Sequence, residues 1–334
     1  MPRRVAAAAL GLLVLLATGC TAQRHWGGNA AGDGEARIGL VTKTDTNPYF
    51  VALRDAAERA AQQRGAEFSA LAGQFDGDND GQVRAIENLL QRNVSTILIT
   101  PNSSTGVLDA IDRARQAGVL VIALDTATEP AEAVDATFAT DNREAGRKQG
   151  AYVRAALGER RPQLLMLDGT AGSTVDTYRH DGFLDGMRLA PGAPEIRGAQ
   201  NVNGDQNLAQ QGLENLLART GGINAIYTMN EPTAQGAHTA LRAHGTAEEV
   251  TMASIDGGCE GVREVAEGRL AATVMQFPAK MAELAVDAAV QHAENGQRPT
   301  GFTDTGSVVI TDDPVPGVPS NPVSWGRQHC WGDR

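Results

Sequence analysis

The chain has 334 residues, 42% of them hydrophobic and 21% charged, with a formal net charge of −11. That length exceeds what one hydrophobic core usually serves, so two lobes are expected. An acidic chain with no basic cluster beyond its first residues argues against nucleic acid as a partner and against electrostatic capture of anions; a neutral ligand fits better.

Arg3 and Arg4 precede an almost unbroken apolar run from Val5 to Ala17. The run is short for a membrane span and has the form of a secretory signal core. It ends in Leu16-Ala17-Thr18-Gly19-Cys20, which resembles a bacterial lipobox, with Ala17 where leucine is commonest. Residues 1–20 are therefore expected to be a lipoprotein signal peptide with Cys20 as the lipid carrier; the alternative is a plain secretory signal with a chance cysteine. Residues 21–36 are rich in Gly and Ala, lack periodicity, and read as a flexible tether. Export leaves Cys259 and Cys330 in an oxidising compartment, where a disulfide is expected over a metal site. Cys330 follows a stretch containing Pro314, Pro316, Pro319 and Pro322 that is not expected to form a helix, and a bridge to Cys259 would pin this tail across the second lobe.

From Ile38 onward, short β-rich runs alternate with helical stretches. Strands are expected at Arg37–Thr42, Ala66–Leu71, Thr96–Thr100, Leu120–Leu124, Ala136–Thr140, Gln163–Leu167, Ala225–Thr228, Val250–Ile255, Leu270–Met275 and Ser307–Ile310. Continuous apolar runs such as Ile97-Leu98-Ile99 suit strands buried on both faces of a parallel sheet. Asn47-Pro48 opens a helix that runs to Arg64 and stops at Gly65, and Gly118 ends a second over Val107–Ala117. The alternation predicts an α/β fold of two doubly wound parallel-sheet lobes. Crossings near Thr140–Asn142, Met275–Phe277 and Thr303–Gly306 divide it into an N-terminal lobe of 37–140 plus 277–304 and a C-terminal lobe of 141–276 plus 305–334.

In such folds ligands bind beyond the carboxyl ends of the strands. Asn47, Tyr49 and Phe50 follow the first predicted strand, and the aromatic rings either stack on the C–H face of a sugar or simply pack the helix start. Asp125-Thr126, Asn230-Glu231-Pro232, Asp256-Gly257-Gly258 and Gln276-Phe277-Pro278 each follow a strand, and Arg179 sits in the helix-start region of another unit. A single Asp or Asn there is a routine turn residue. Carboxylates, amides and a guanidinium in register with several strands are the mixture that hydroxyl groups, both donors and acceptors, require.

These motifs resemble the periplasmic sugar-binding proteins of the ribose/galactose class that feed ABC transporters. The likeness spans Ile38 to Pro314 and rests on Asn47-Pro48-Tyr49-Phe50, the run from Gly118 to Asp125, Arg179-His180-Asp181-Gly182-Phe183, Asn230-Glu231-Pro232, Ile255-Asp256-Gly257 and Gln276-Phe277-Pro278. It implies sugar contacts from Asn47, Phe50, Asp125, Arg179, Asn230, Asp256 and Gln276. Leu124-Asp125-Thr126, the run from Asp135 to Asn142 and the cysteine after Asp256-Gly257-Gly258 are closest to fructose-binding members, whereas ribose binders usually carry Arg where Thr126 stands. The full candidate set is Asn47, Tyr49, Phe50, Asp125, Thr126, Asn142, Arg179, Asn230, Asp256 and Gln276.

Rival chemistry is sparse. Asp76, Asp78, Asp80 and Glu87 fit a calcium-loop spacing, but a strand is predicted before them, which favours a βα loop whose acids face the next helix N-terminus. No phosphate loop, paired-histidine zinc spacing or nucleophile elbow occurs. The expectation is an extracytoplasmic, membrane-anchored monomer that is not an enzyme. It needs no cofactor or metal, and it delivers a monosaccharide, fructose first, to an ABC permease. A sensor that reports a sugar or polyol to a membrane receptor is the alternative.

Overall fold

The computed structural model describes Met1 and residues 34–332; Cys20 and nearly all of the expected signal and tether lie outside the described residues. Two sheets form the frame. The first, ordered β11-β5-β4-β3-β1-β2, is built from β1 (Arg37–Thr42), β2 (Glu67–Ala72), β3 (Thr96–Ile99), β4 (Leu120–Leu124), β5 (Ala136–Ala139) and β11 (Gly301–Asp304), all parallel. The second is ordered β13-β12-β10-β9-β8-β6-β7. Its strands are β6 (Leu164–Asp168), β7 (Ile196–Asn201), β8 (Ala225–Thr228), β9 (Thr251–Asp256), β10 (Ala272–Met275), β12 (Val308–Ile310) and β13 (Ser320–Asn321). The expected two-lobed α/β fold is therefore present, with one departure: β12 runs antiparallel to β10, so the second sheet is mixed.

Helices cover both faces of each sheet. α1 (Pro48–Gln63) starts where the Asn47 side chain accepts from the Tyr49 amide at 3.0 Å. Its alanines Ala56, Ala57, Ala60 and Ala61 are buried in one core with Met281, Ala282, Ala285 and Val286 of α9 (Pro278–Asn295), so α9 belongs to the first sheet although it follows β10 in sequence. α2 (Asn79–Gln91) and α3 (Leu108–Gln116) cover the other face, around Ile97, Ile99 and Val121. The second sheet carries α4 (Asn142–Ala156), α5 (Thr174–Met187), α6 (Gln206–Leu217), α7 (Glu231–His244), α8 (Cys259–Ala266) and α10 (Val323–His329).

The chain passes between the sheets at residues 140–141, 276–277 and 305–307. Three strands escaped the sequence reading, β7, β11 and β13, and all three lie at sheet edges. The tail is more regular than its prolines suggested, because Pro322 stands just before α10 rather than inside it. Cys259 and Cys330 form a disulfide. It holds the chain end against α8, where the Cys259 amide donates to the Trp331 carbonyl at 2.9 Å.

Candidate ligand-binding site

The carboxyl ends of both sheets face one cleft. Lys43, Asn47, Tyr49, Phe50, Asp76 and Asp125 line it from the first lobe, and Thr170, Ser173, Val175, Arg179, Asn203, Gly204, Met229, Asn230 and Asp256 line it from the second. The lobes are closed on each other. The Ser104 amide donates to the Gly172 carbonyl at 2.9 Å, the Thr174 amide to Ser104 Oγ at 2.9 Å, and the Thr174 hydroxyl to the Ala127 carbonyl at 2.9 Å.

Each polar side chain is fixed by its own element. Asn230 caps α7: its Oδ1 accepts from the Thr233 amide at 3.0 Å and the Thr233 hydroxyl at 2.6 Å, and its Nδ2 donates to the Gly204 carbonyl at 3.2 Å. One Nδ2 hydrogen stays available for the cleft. Arg179 on α5 donates through Nε to Asn142 Oδ1 at 2.8 Å and through Nη1 to the Met229 carbonyl at 2.9 Å. Its Nη1 also stands 3.8 Å from Asp256 Oδ1. Asp256 accepts from Gln276 Nε2 at 2.9 Å and lies 3.4 Å from the Glu231 amide. Asp125 accepts from the Thr126 hydroxyl at 3.0 Å. Tyr49 meets Phe50 edge-on at 5.5 Å between ring centroids and Trp331 edge-on at 5.4 Å, so the tail reaches the first lobe at the hinge.

Of the sequence candidates, Asn47, Tyr49, Phe50, Asp125, Arg179, Asn230 and Asp256 share the cavity wall. Thr126, Asn142 and Gln276 are placed one layer back. Asn142 spends its amide nitrogen on the Asp125 and Thr140 carbonyls and its oxygen on Arg179, which makes it a clamp between the crossing strand and the guanidinium. Lys43, Asp76, Asn203 and Met229 line the wall without having been singled out as ligand contacts; Lys43 and Met229 directly follow strands and Asp76 and Asn203 sit in the loops beyond them, and only that position at the carboxyl end of the sheets could have pointed to them. The acidic loop is the βα loop between β2 and α2. Asp78 caps the helix and accepts from the Gly81 and Gln74 amides, bonds that hold its carboxyl below the usual range, and Asp80 lies inside the helix.

Burial sets the electrostatics. It pushes Asp256 up to about 7, with the Asp125 charge adding and Arg179 opposing. Asp76 is raised to about 6 by burial, against the pull of Lys43. Glu231, beneath the site, is raised well above the carboxylate range by burial and by Asp256; its oxygens accept from the Gly257 and Gly258 amides and the Thr273 hydroxyl. This network ties the backbone that carries Asp256 to α7.

Two doubly wound lobes, three crossing segments and a closed polar cleft define a binding protein that shuts around a small ligand. The chain belongs to the family described as periplasmic binding protein domain, whose model matches residues 38–298. Among curated relatives, the ribose import binding protein of Escherichia coli is 30% identical over 75% of this chain and 83% of its own length. The ribose import binding protein of Bacillus subtilis is 28% identical over 86% and 93%. Among solved structures, a periplasmic solute-binding protein from Actinobacillus succinogenes with bound D-allose superposes with a TM-score of 0.74 at 25% identity, covering 83% of this chain and 98% of that one.

Proposed function

We propose that this chain is the extracytoplasmic solute-binding component of an ABC importer and holds one neutral monosaccharide between its lobes, with D-fructose the first candidate. The observation that carries the reading is the wall itself: Asp125, Asp256, Arg179 and Asn230 converge on one cleft beside Tyr49 and Phe50. That is a set of donors, acceptors and apolar faces matched to a polyhydroxylated ring. Relatives named for ribose import and D-allose binding support a sugar. In this reading residues 37–140 with 277–304 form one rigid lobe and 141–276 with 305–334 the other. The protein acts as a monomer, and lipid on Cys20 holds it at the membrane beside the permease.

A thermal-shift screen tests the sugar reading, because a ligand that binds only the folded state raises its apparent stability. D-Fructose, D-ribose, D-allose and myo-inositol at millimolar concentration are compared with glycine and glutamate. At least one of the sugars or the polyol is expected to raise the melting temperature by several degrees; a shift with the amino acids alone would point to a different ligand class.

A further inference from the structure

The first lobe contributes one cation to the cavity wall. Lys43 directly follows β1 and is only 4% exposed, yet its ammonium is not spent on the protein. Among the described residues, no carboxylate stands within 4.0 Å of it and no acceptor takes a hydrogen bond from it. Nζ lies over the face of the Phe50 ring, 5.8 Å from the centroid. Burying an ammonium without hydrogen-bond partners is costly, and a ring face offsets only part of that cost. Thr126, the neighbour of Asp125, cannot take over the role, since it is uncharged and its hydroxyl is already turned to Asp125.

We propose that Lys43 is a specificity-determining contact, its ammonium donating to oxygens of the ligand held in the cleft. This rests on the sugar reading above. An ammonium offers three donors and no acceptor. The part of the ligand facing β1 must therefore present oxygens as acceptors: a ring oxygen, or hydroxyls whose own protons go to a carboxylate such as Asp76 or Asp125 in the same wall. The Lys43 charge opposes the burial that raises Asp76, yet the two groups stand farther apart than an ion pair. The ligand class that fits is a cyclic sugar bound with its oxygen-rich edge toward β1 and Phe50.

The test compares wild type with Lys43→Met, which keeps the length and apolar stem, and with Lys43→Arg, which keeps a cation. Each is titrated calorimetrically with D-fructose, D-ribose, D-allose and myo-inositol, and the ligand-free melting temperatures are recorded. Lys43→Met is expected to lose at least about tenfold in affinity for the sugar that wild type binds best, while its ligand-free melting temperature stays level or rises, because a buried unpaired charge has been removed. Lys43→Arg should retain more of the affinity. Unchanged affinity in Lys43→Met, or a ligand-free protein markedly less stable than wild type, would overturn the inference and make Lys43 a structural residue. If wild type binds none of the four, the sugar reading fails and this inference fails with it.

Discussion

Asp125, just beyond β4, and Asp256, the last residue of β9, have φ of 61° and 149°, in the region that side-chain-bearing residues rarely adopt. Neither geometry is what a buried strand end would choose for stability; both aim a carboxylate into the cleft beside Arg179. Asp256 is the more demanding case, being 3% exposed and held by Gln276, the Glu231 amide and the nearby guanidinium. Removing it leaves the Gln276 amide nitrogen and a ligand hydroxyl unmatched, at a cost of about 1–3 kcal/mol. Asp256→Ala is therefore expected to weaken binding at least about tenfold while the protein remains folded. Sequence made these residues visible because strand ends are where such folds bind, and because polar side chains recur there in register. It could not separate wall from backing. Asn142 and Gln276 carry the same kinds of groups as Asn230, but theirs are turned to Arg179 and Asp256, which only the tertiary placement of α4 and the β10–α9 crossing decides.

α4 and α5 touch nearly backbone to backbone, and glycines allow it. A Cβ on Gly146 would stand 2.3 Å from the Arg179 carbonyl oxygen, and one on Gly182 would stand 2.1 Å from the Arg143 carbonyl oxygen. This approach brings Arg179 within reach of Asn142 and so sets the guanidinium in the cleft. Gly182→Ala must part the helices. Chemical denaturation should show a loss of about 1–3 kcal/mol or more, and sugar affinity should fall with it, since Arg179 moves with α5. Wild-type stability in that variant would mean that the helices can separate freely. The strands show the limits of reading elements from pattern. Central strands such as β3 and β4 are wholly buried and appear as apolar runs. β11 is exposed along its length and β7 alternates between half-buried and exposed residues, so neither produces such a run. Their pairing along one side only, at the edges, is what made them illegible.

At the scale of the whole molecule, folding buries several acids, some at the cleft and some away from it. Burial is the first cause raising Asp76 and Asp176 to about 6 and Asp256 and Glu264 to about 7. Carboxyls that bind protons more tightly folded than unfolded favour the folded state at low pH, and that contribution is lost as pH rises through their folded values. The melting temperature of the ligand-free protein should therefore fall between about pH 5 and about pH 8. The bonds that lower Asp78 and Glu144 act in the opposite sense below this window, and His238 and His292, lowered by burial from 6.5, oppose the fall in its acid half but are outnumbered by the raised carboxyls. A melting temperature that rises steadily across it would contradict the burial of these acids. The Cys259–Cys330 disulfide, closing a sequence separation of 71 residues, keeps the tail and Trp331 at the hinge while the lobes work.

The central claim, a sugar held by both lobes at Asp125, Arg179 and Asp256, is tested most directly by calorimetric titration of wild type and Asp256→Ala in parallel, using the sugar that most raises the melting temperature. Wild type should bind one molecule per chain, and Asp256→Ala at least about tenfold more weakly with its fold intact. Equal affinity in the two folded proteins would place the ligand elsewhere and contradict the account.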